Sequence, residues 1–158
     1  MQPKSLRLGA LLVLGAVLTA LGSVDAGTKS DKEVKVTASA TKIDPQGKQV
    51  ITITLAPNSG WYVYANPVGN KELEAAETVI SLKGKMKLKD VAVNYPGGTL
   101  VPDKVVGDYK VYDGKTEIQA TVIRAAGDTG PLEVSVQFQA CHKKGVCLLP
   151  AKVKLSVP

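Results

Sequence analysis

The chain has 158 residues, two cysteines, one histidine and a net charge of +6, with only 4 % aromatic side chains. One domain's worth of chain with so few aromatics must build its core from Val, Ile, Leu and Ala. Dispersed lysines without interleaved aromatics argue against a nucleic-acid partner, and no segment beyond the first 26 residues is apolar and long enough for a membrane helix.

Residues 1–26 read as an export signal. Lys4 and Arg7 form a positive n-region, residues 8–21 an uncharged Leu/Ala/Val/Gly-rich stretch, and Val24-Asp25-Ala26 offers small residues for cleavage. The apolar run of about 14 residues falls short of the roughly 20 that span a bilayer. An uncleaved signal is therefore the one membrane attachment expected, and the location expected is periplasmic or secreted. Losing these residues removes Lys4, Arg7 and Asp25 and lowers the net charge by one, so the mature chain stays modestly basic.

Residues 27–32 are polar and read as a flexible leader to a single domain over 33–158. From there the hydrophobic period is two. Val34, Val36 and Ala38 alternate with Lys35, Thr37 and Ser39, and β-branched or aromatic runs follow at 50–55 and 61–64. Residues 71–77 look briefly helical. Further strands are expected at 78–82, 87–95, 109–112, 117–124, 132–140 and 152–157. Lys83, Lys85, Lys87 and Lys89, taken as extended, would share one solvated side. Turn residues punctuate the runs at 44–47, 57–60, 96–98, 113–114 and 127–131. Asp113-Gly114 is a two-residue hairpin signal, since both positions tolerate φ > 0. Eight or nine strands with no βαβ alternation predict an all-β, immunoglobulin-like antiparallel β-sandwich.

Cys141 and Cys147 are the only cysteines, placed where two adjacent antiparallel strands meet their connection. Five intervening residues containing Gly145 can bring the Cα atoms within disulfide range. A staple here would stabilise little, because chain-entropy gains shrink with loop length and the hairpin already closes the pair. His142, Lys143 and Lys144 place cations beside Cys141, and nearby cations favour the reactive thiolate. A redox pair and a structural staple both remain open. A metal centre is a weaker third reading, since one histidine and two cysteines fall short of the four ligands zinc takes.

The segment Phe138-Gln139-Ala140-Cys141, five residues, then Cys147-Leu148-Leu149-Pro150 resembles the active-site segment of the N-terminal domain of DsbD-type thiol:disulfide interchange proteins, in a stand-alone form. Ser59-Gly60-Trp61-Tyr62-Val63-Tyr64 is similar to that family's aromatic strand, with Ala65-Asn66-Pro67 following, and 95–112 is a weaker match. The resemblance covers essentially residues 34–157. It implies an immunoglobulin-like sandwich that relays electrons through Cys141 and Cys147, with Cys147 forming the mixed disulfide and Cys141 resolving it. Asp103, Lys104, Val105, Val106 and Gly107 would form a cap loop, with Val105 where well-known members place an aromatic. Tyr62 and Tyr64 would line the site beside His142, Lys143 and Lys144. The chain departs from the pattern in keeping one proline, Pro150, where two follow the second cysteine.

The resemblance implies thioredoxin-like or DsbD-type redox proteins as partners, docking on an apolar rim of Val105, Val106, Val146, Leu148 and Leu149. It implies thiol:disulfide interchange activity with no cofactor, no metal, no nucleic acid and no small-molecule substrate. Without the membrane-embedded conduit and thioredoxin domain of the full-length proteins, any relay is expected to run through separate partner chains. The alternative is a non-catalytic secreted binding module whose disulfide only pins a hairpin.

Overall fold

A computed structural model describes residues 27–158 of the protein. The export-signal reading of residues 1–26 lies outside the described residues. Among those described, no helix is long and apolar enough to cross a membrane.

Strands β1 (Val34–Ala40), β2 (Lys48–Pro57), β8 (Thr116–Ile123) and β5 (Asp90–Asn94) form an antiparallel four-stranded sheet in the order β1-β2-β8-β5. Its inward positions are every second residue: Ile51, Ile53 and Leu55 from β2 against Ile118, Ala120 and Val122 from β8, all fully buried. Pleating alone sends this period to one face, and the apolar set fixes the register. Facing it are β12 (Ala151–Val157), β9 (Leu132–Phe138) and β4 (Val79–Lys83), which contribute Leu132, Val134, Val136 and Phe138 to the same core. The protein is an immunoglobulin-like antiparallel β-sandwich, as the strand pattern predicts.

A five-stranded sheet extends the second layer in the order β11-β10-β3-β7-β6. Its members are β11 (Val146–Cys147), β10 (Ala140–His142), β3 (Trp61–Tyr64), β7 (Tyr109–Tyr112) and β6 (Thr99–Val101). Val63, Tyr112 and Ala140 face the main core, while Tyr64, Tyr109, Val111 and Cys141 point to the other side and form a second cluster with Val68. Leu73 and Ala76 cover it from a 3-10 helix, Lys71–Ala76, where the sequence looks briefly helical. Asn70 caps this helix by accepting the Glu72 amide at 3.0 Å.

Three local expectations are corrected. Asp113-Gly114 does not close a hairpin: β7 pairs with β3 and β6 whereas β8 pairs with β2 and β5, so the turn carries the chain from one sheet to the other. Gly114 does adopt the positive φ, of 112°, that made it look like a hairpin residue. The lysine run is not one strand face, since Lys83 ends β4 while Lys85, Lys87 and Lys89 lie in the connection to β5. The leader is also pinned. Thr28 and Ser30 hydrogen-bond with Leu149, a short 3-10 helix follows at Ser30–Lys32, and Ser30 is fully buried.

Candidate functional site

The last hairpin owes its shape to Gly145. The His142 carbonyl accepts the Gly145 amide at 2.8 Å, and Gly145 sits at φ 87°, closing a three-residue loop of Lys143, Lys144 and Gly145. His142 then pairs with Val146 and Cys141 with Cys147. The two cysteines are directly opposite each other and joined by a disulfide, with Cα atoms 4.0 Å apart. That is closer than the separation expected for a loop-closing bridge, because the pair occupies the narrow rung of the ladder, where facing residues approach most closely.

The two sulfur-bearing residues differ in environment. Cys141 is fully buried, while Cys147 is exposed on the edge strand β11. Strand pairing sets Cys141 opposite Tyr62, so it shares the aromatic face of β3. The Tyr64 hydroxyl lies 3.5 Å from the Cys141 Sγ. The Tyr62 and Tyr109 hydroxyls are 3.3 Å apart, and the Tyr64 and Tyr109 rings meet edge-on at 5.6 Å. Burial, then the contact with Tyr109, pushes the Tyr62 phenol far above its ordinary range. Burial also raises that of Tyr64. Both are therefore O–H donors at neutral pH, and Tyr64 can donate to a charge developing on Cys141.

His142 and Lys143 sit otherwise than the cation argument expects. Strand alternation turns His142 toward Trp61, with the rings edge-on at 5.1 Å, and its Nδ1 accepts the Lys144 amide at 3.1 Å. Gly60 makes room for this: a Cβ there would come within 2.6 Å of the His142 Nε2. Lys143 pairs with Asp113 at 2.7 Å, so its charge is already matched by a carboxylate. Lys144 is exposed on the turn.

Residues 103–107 lie between β6 and β7, and a cleft lined by Tyr62, Asp103, Tyr109, His142, Lys143 and Gly145 separates them from the hairpin. The resemblance puts Val105 at the cap-loop position where well-known members place an aromatic. Val105 is 92 % exposed and covers nothing, because the loop is shaped from within. The Asp103 carboxylate accepts the Val105 and Val106 amides at 2.7 and 3.1 Å, a turn that leaves both side chains outward. Asn70, which the sequence argument did not single out, donates to the Val106 carbonyl at 2.7 Å and ties the loop to the helix it caps. Lys104 and Gly107 are exposed.

Those backbone bonds hold the Asp103 carboxyl below its usual range. A depressed carboxyl supports the loop above its ordinary pKa and withdraws that support as pH falls through the lowered value. The Val105 and Val106 amide resonances are therefore expected to titrate with a midpoint below that of an ordinary aspartate. Asp103→Ala should abolish the titration. A midpoint at or above the ordinary value would show that the loop is not held this way.

The fold and this hairpin together define a class: an immunoglobulin-like sandwich with a disulfide, half buried and half exposed, at a sheet edge. Residues 30–157 match the family described as "Thiol:disulfide interchange protein DsbD, N-terminal", and the chain belongs to it. Among solved structures, the N-terminal domain of Neisseria meningitidis DsbD in its reduced form is 17 % identical, with a TM-score of 0.51 over 80 % of this chain and 85 % of that one. The N-terminal periplasmic domain of ScsB from Proteus mirabilis is also 17 % identical, with a TM-score of 0.51 over 77 % of this chain and 44 % of that one. At this identity the likeness bears on fold. No curated protein sequence matches the chain.

Proposed function

We propose that the protein is an exported, periplasmic module that exchanges disulfides with thioredoxin-like protein partners through Cys141 and Cys147. The observation that carries this reading is the asymmetry of the pair: one sulfur on an exposed edge, the other buried against a phenol. A partner thiolate attacks the Cys147 Sγ and breaks its bond to Cys141. The bond's electron pair leaves on Cys141, whose negative charge meets the Tyr64 hydroxyl. The partner's second thiolate then attacks its own sulfur in the mixed disulfide and releases Cys147, so two electrons have entered the module.

Delivery reverses these steps. The Cys147 thiolate attacks an acceptor disulfide, and the Cys141 thiolate attacks Cys147 to re-form the internal bond, which releases the reduced acceptor. The exposed Val105, Val106, Val146 and Leu149 supply apolar surface around the edge for a protein partner. Chemistry of this kind uses sulfur alone and calls for no cofactor.

The test is equilibration of the native protein with a glutathione buffer. The pair is expected to exchange without unfolding, at a potential well above roughly −300 mV, the region of structural disulfides. A bond that stays intact until the domain unfolds would make this a binding module with a pinned hairpin.

A further inference from the structure

The two arms of the cysteine hairpin do not run in simple register back into the sandwich. Cys141 faces Cys147, and Phe138 faces Ala151. Two residues, Gln139 and Ala140, separate these rungs on one arm, and three, Leu148, Leu149 and Pro150, on the other. The second arm therefore bulges by one residue where the chain passes from one sheet to the other. A bulge leaves backbone groups without a partner across the ladder, and Pro150 has no amide to offer.

Ala140 shows the consequence. Its carbonyl accepts the Leu148 amide at 2.9 Å, but its own N–H, in a fully buried residue, finds no carbonyl on the opposite arm. The Ser30 hydroxyl takes that place: it accepts the Ala140 amide at 2.9 Å and donates to the Leu149 carbonyl at 2.7 Å. The Ser30 amide adds a bond to the same carbonyl at 2.9 Å. One hydroxyl thus accepts from the arm ahead of Cys141 and donates to the arm after Cys147, replacing the missing rung. A side chain that can only donate, or only accept, cannot do this.

We propose that Ser30 is a positioning residue for the cysteine pair, clamping the base of the hairpin so that the two thiols stay opposed when the disulfide is open. This rests on the exchange function proposed above. Removing the hydroxyl leaves a buried amide unsatisfied. While the disulfide is closed, the arms cannot part and the full penalty is felt. In the dithiol form the arms can separate and relieve part of it. The loss therefore falls more heavily on the oxidised state, and the bond becomes easier to reduce.

Ser30→Ala is expected to shift the equilibrium with glutathione toward the dithiol by roughly fivefold, within the range of couplings between groups that share a network. A purely structural serine would lower the unfolding midpoint equally in both redox forms and leave the glutathione equilibrium unchanged; that result overturns the proposal. A second measurement needs no variant. In the reduced wild-type protein, the Ala140 amide should stay protected from hydrogen exchange while the exposed Lys144 amide does not. Equal exchange of the two would also overturn it. Failure of the wild-type disulfide to equilibrate in the native state would instead remove the exchange function itself.

Discussion

Cys141→Ala, presented with a thioredoxin-like partner whose second cysteine is removed and whose remaining one is activated as a mixed disulfide with a small thiol, is expected to accumulate a stable mixed disulfide through Cys147. Cys147→Ala should trap at least about tenfold less. Thiol–disulfide exchange requires the attacking sulfur to approach the target along the axis of the bond it breaks. Cys147 offers that approach from an exposed edge strand, whereas Cys141 is fully buried among Tyr64, Tyr109, Val68 and Val111. With Cys141 gone, nothing within the module can resolve the captured partner. Non-reducing electrophoresis of the two variants reads the result directly. Equal trapping would mean that burial does not assign the roles.

The largest stability loss is expected far from the sulfurs. Arg124 is almost completely buried, and its guanidinium donates to the Gln49 side chain at 3.0 Å, to Asp128 at 3.3 Å and to the Gly130 carbonyl. Gln49 in turn donates to the Pro158 carbonyl at 2.7 Å, so the network joins β2, the end of β8, the turn into β9 and the C-terminus. Asp128→Ala leaves the buried cation without its counter-charge. Removing one partner of a buried pair costs about 3–5 kcal/mol, mostly the penalty of the stranded charge. Urea unfolding of the oxidised protein measures this. A loss below about 1 kcal/mol would mean that the charge is served by Gln49 and the carbonyl alone. None of these bonds reaches the cysteine hairpin, so the glutathione equilibrium should not move.

Much of the architecture is legible in the order of residues, because pleating converts a period of two directly into a buried face. The alternation of Val34, Val36 and Ala38 with Lys35, Thr37 and Ser39 in β1 reads correctly for that reason, as does the meeting of the last two long strands around the cysteines. Where pairing partners must be chosen, local pattern fails. Asp113-Gly114 has the chemistry of a hairpin turn, yet β8 buries its apolar face by pairing with β2 and β5, and that long-range choice outweighs the turn.

At the candidate site, the cysteines and the aromatic strand are visible in sequence as a motif. The position of His142 follows from strand alternation, which sets it beside Trp61 on the face opposite Cys141. Ser30 and Asn70 are invisible in that sense. Their roles depend on carbonyls about 119 and 36 residues away, brought near by pairings that no short window contains.

The strand that carries Cys147 has only two residues and stands at the free end of its sheet. Because Cys147 occupies the narrow rung, its own amide and carbonyl face outward, and they are nearly all that this border offers to another chain. So short a ledge cannot template an additional strand, the common hazard of open sheet margins. Under the proposed exchange, a visiting protein would be held by one covalent bond and a few apolar touches. It would depart as soon as that bond is resolved, which suits a courier more than a lasting complex.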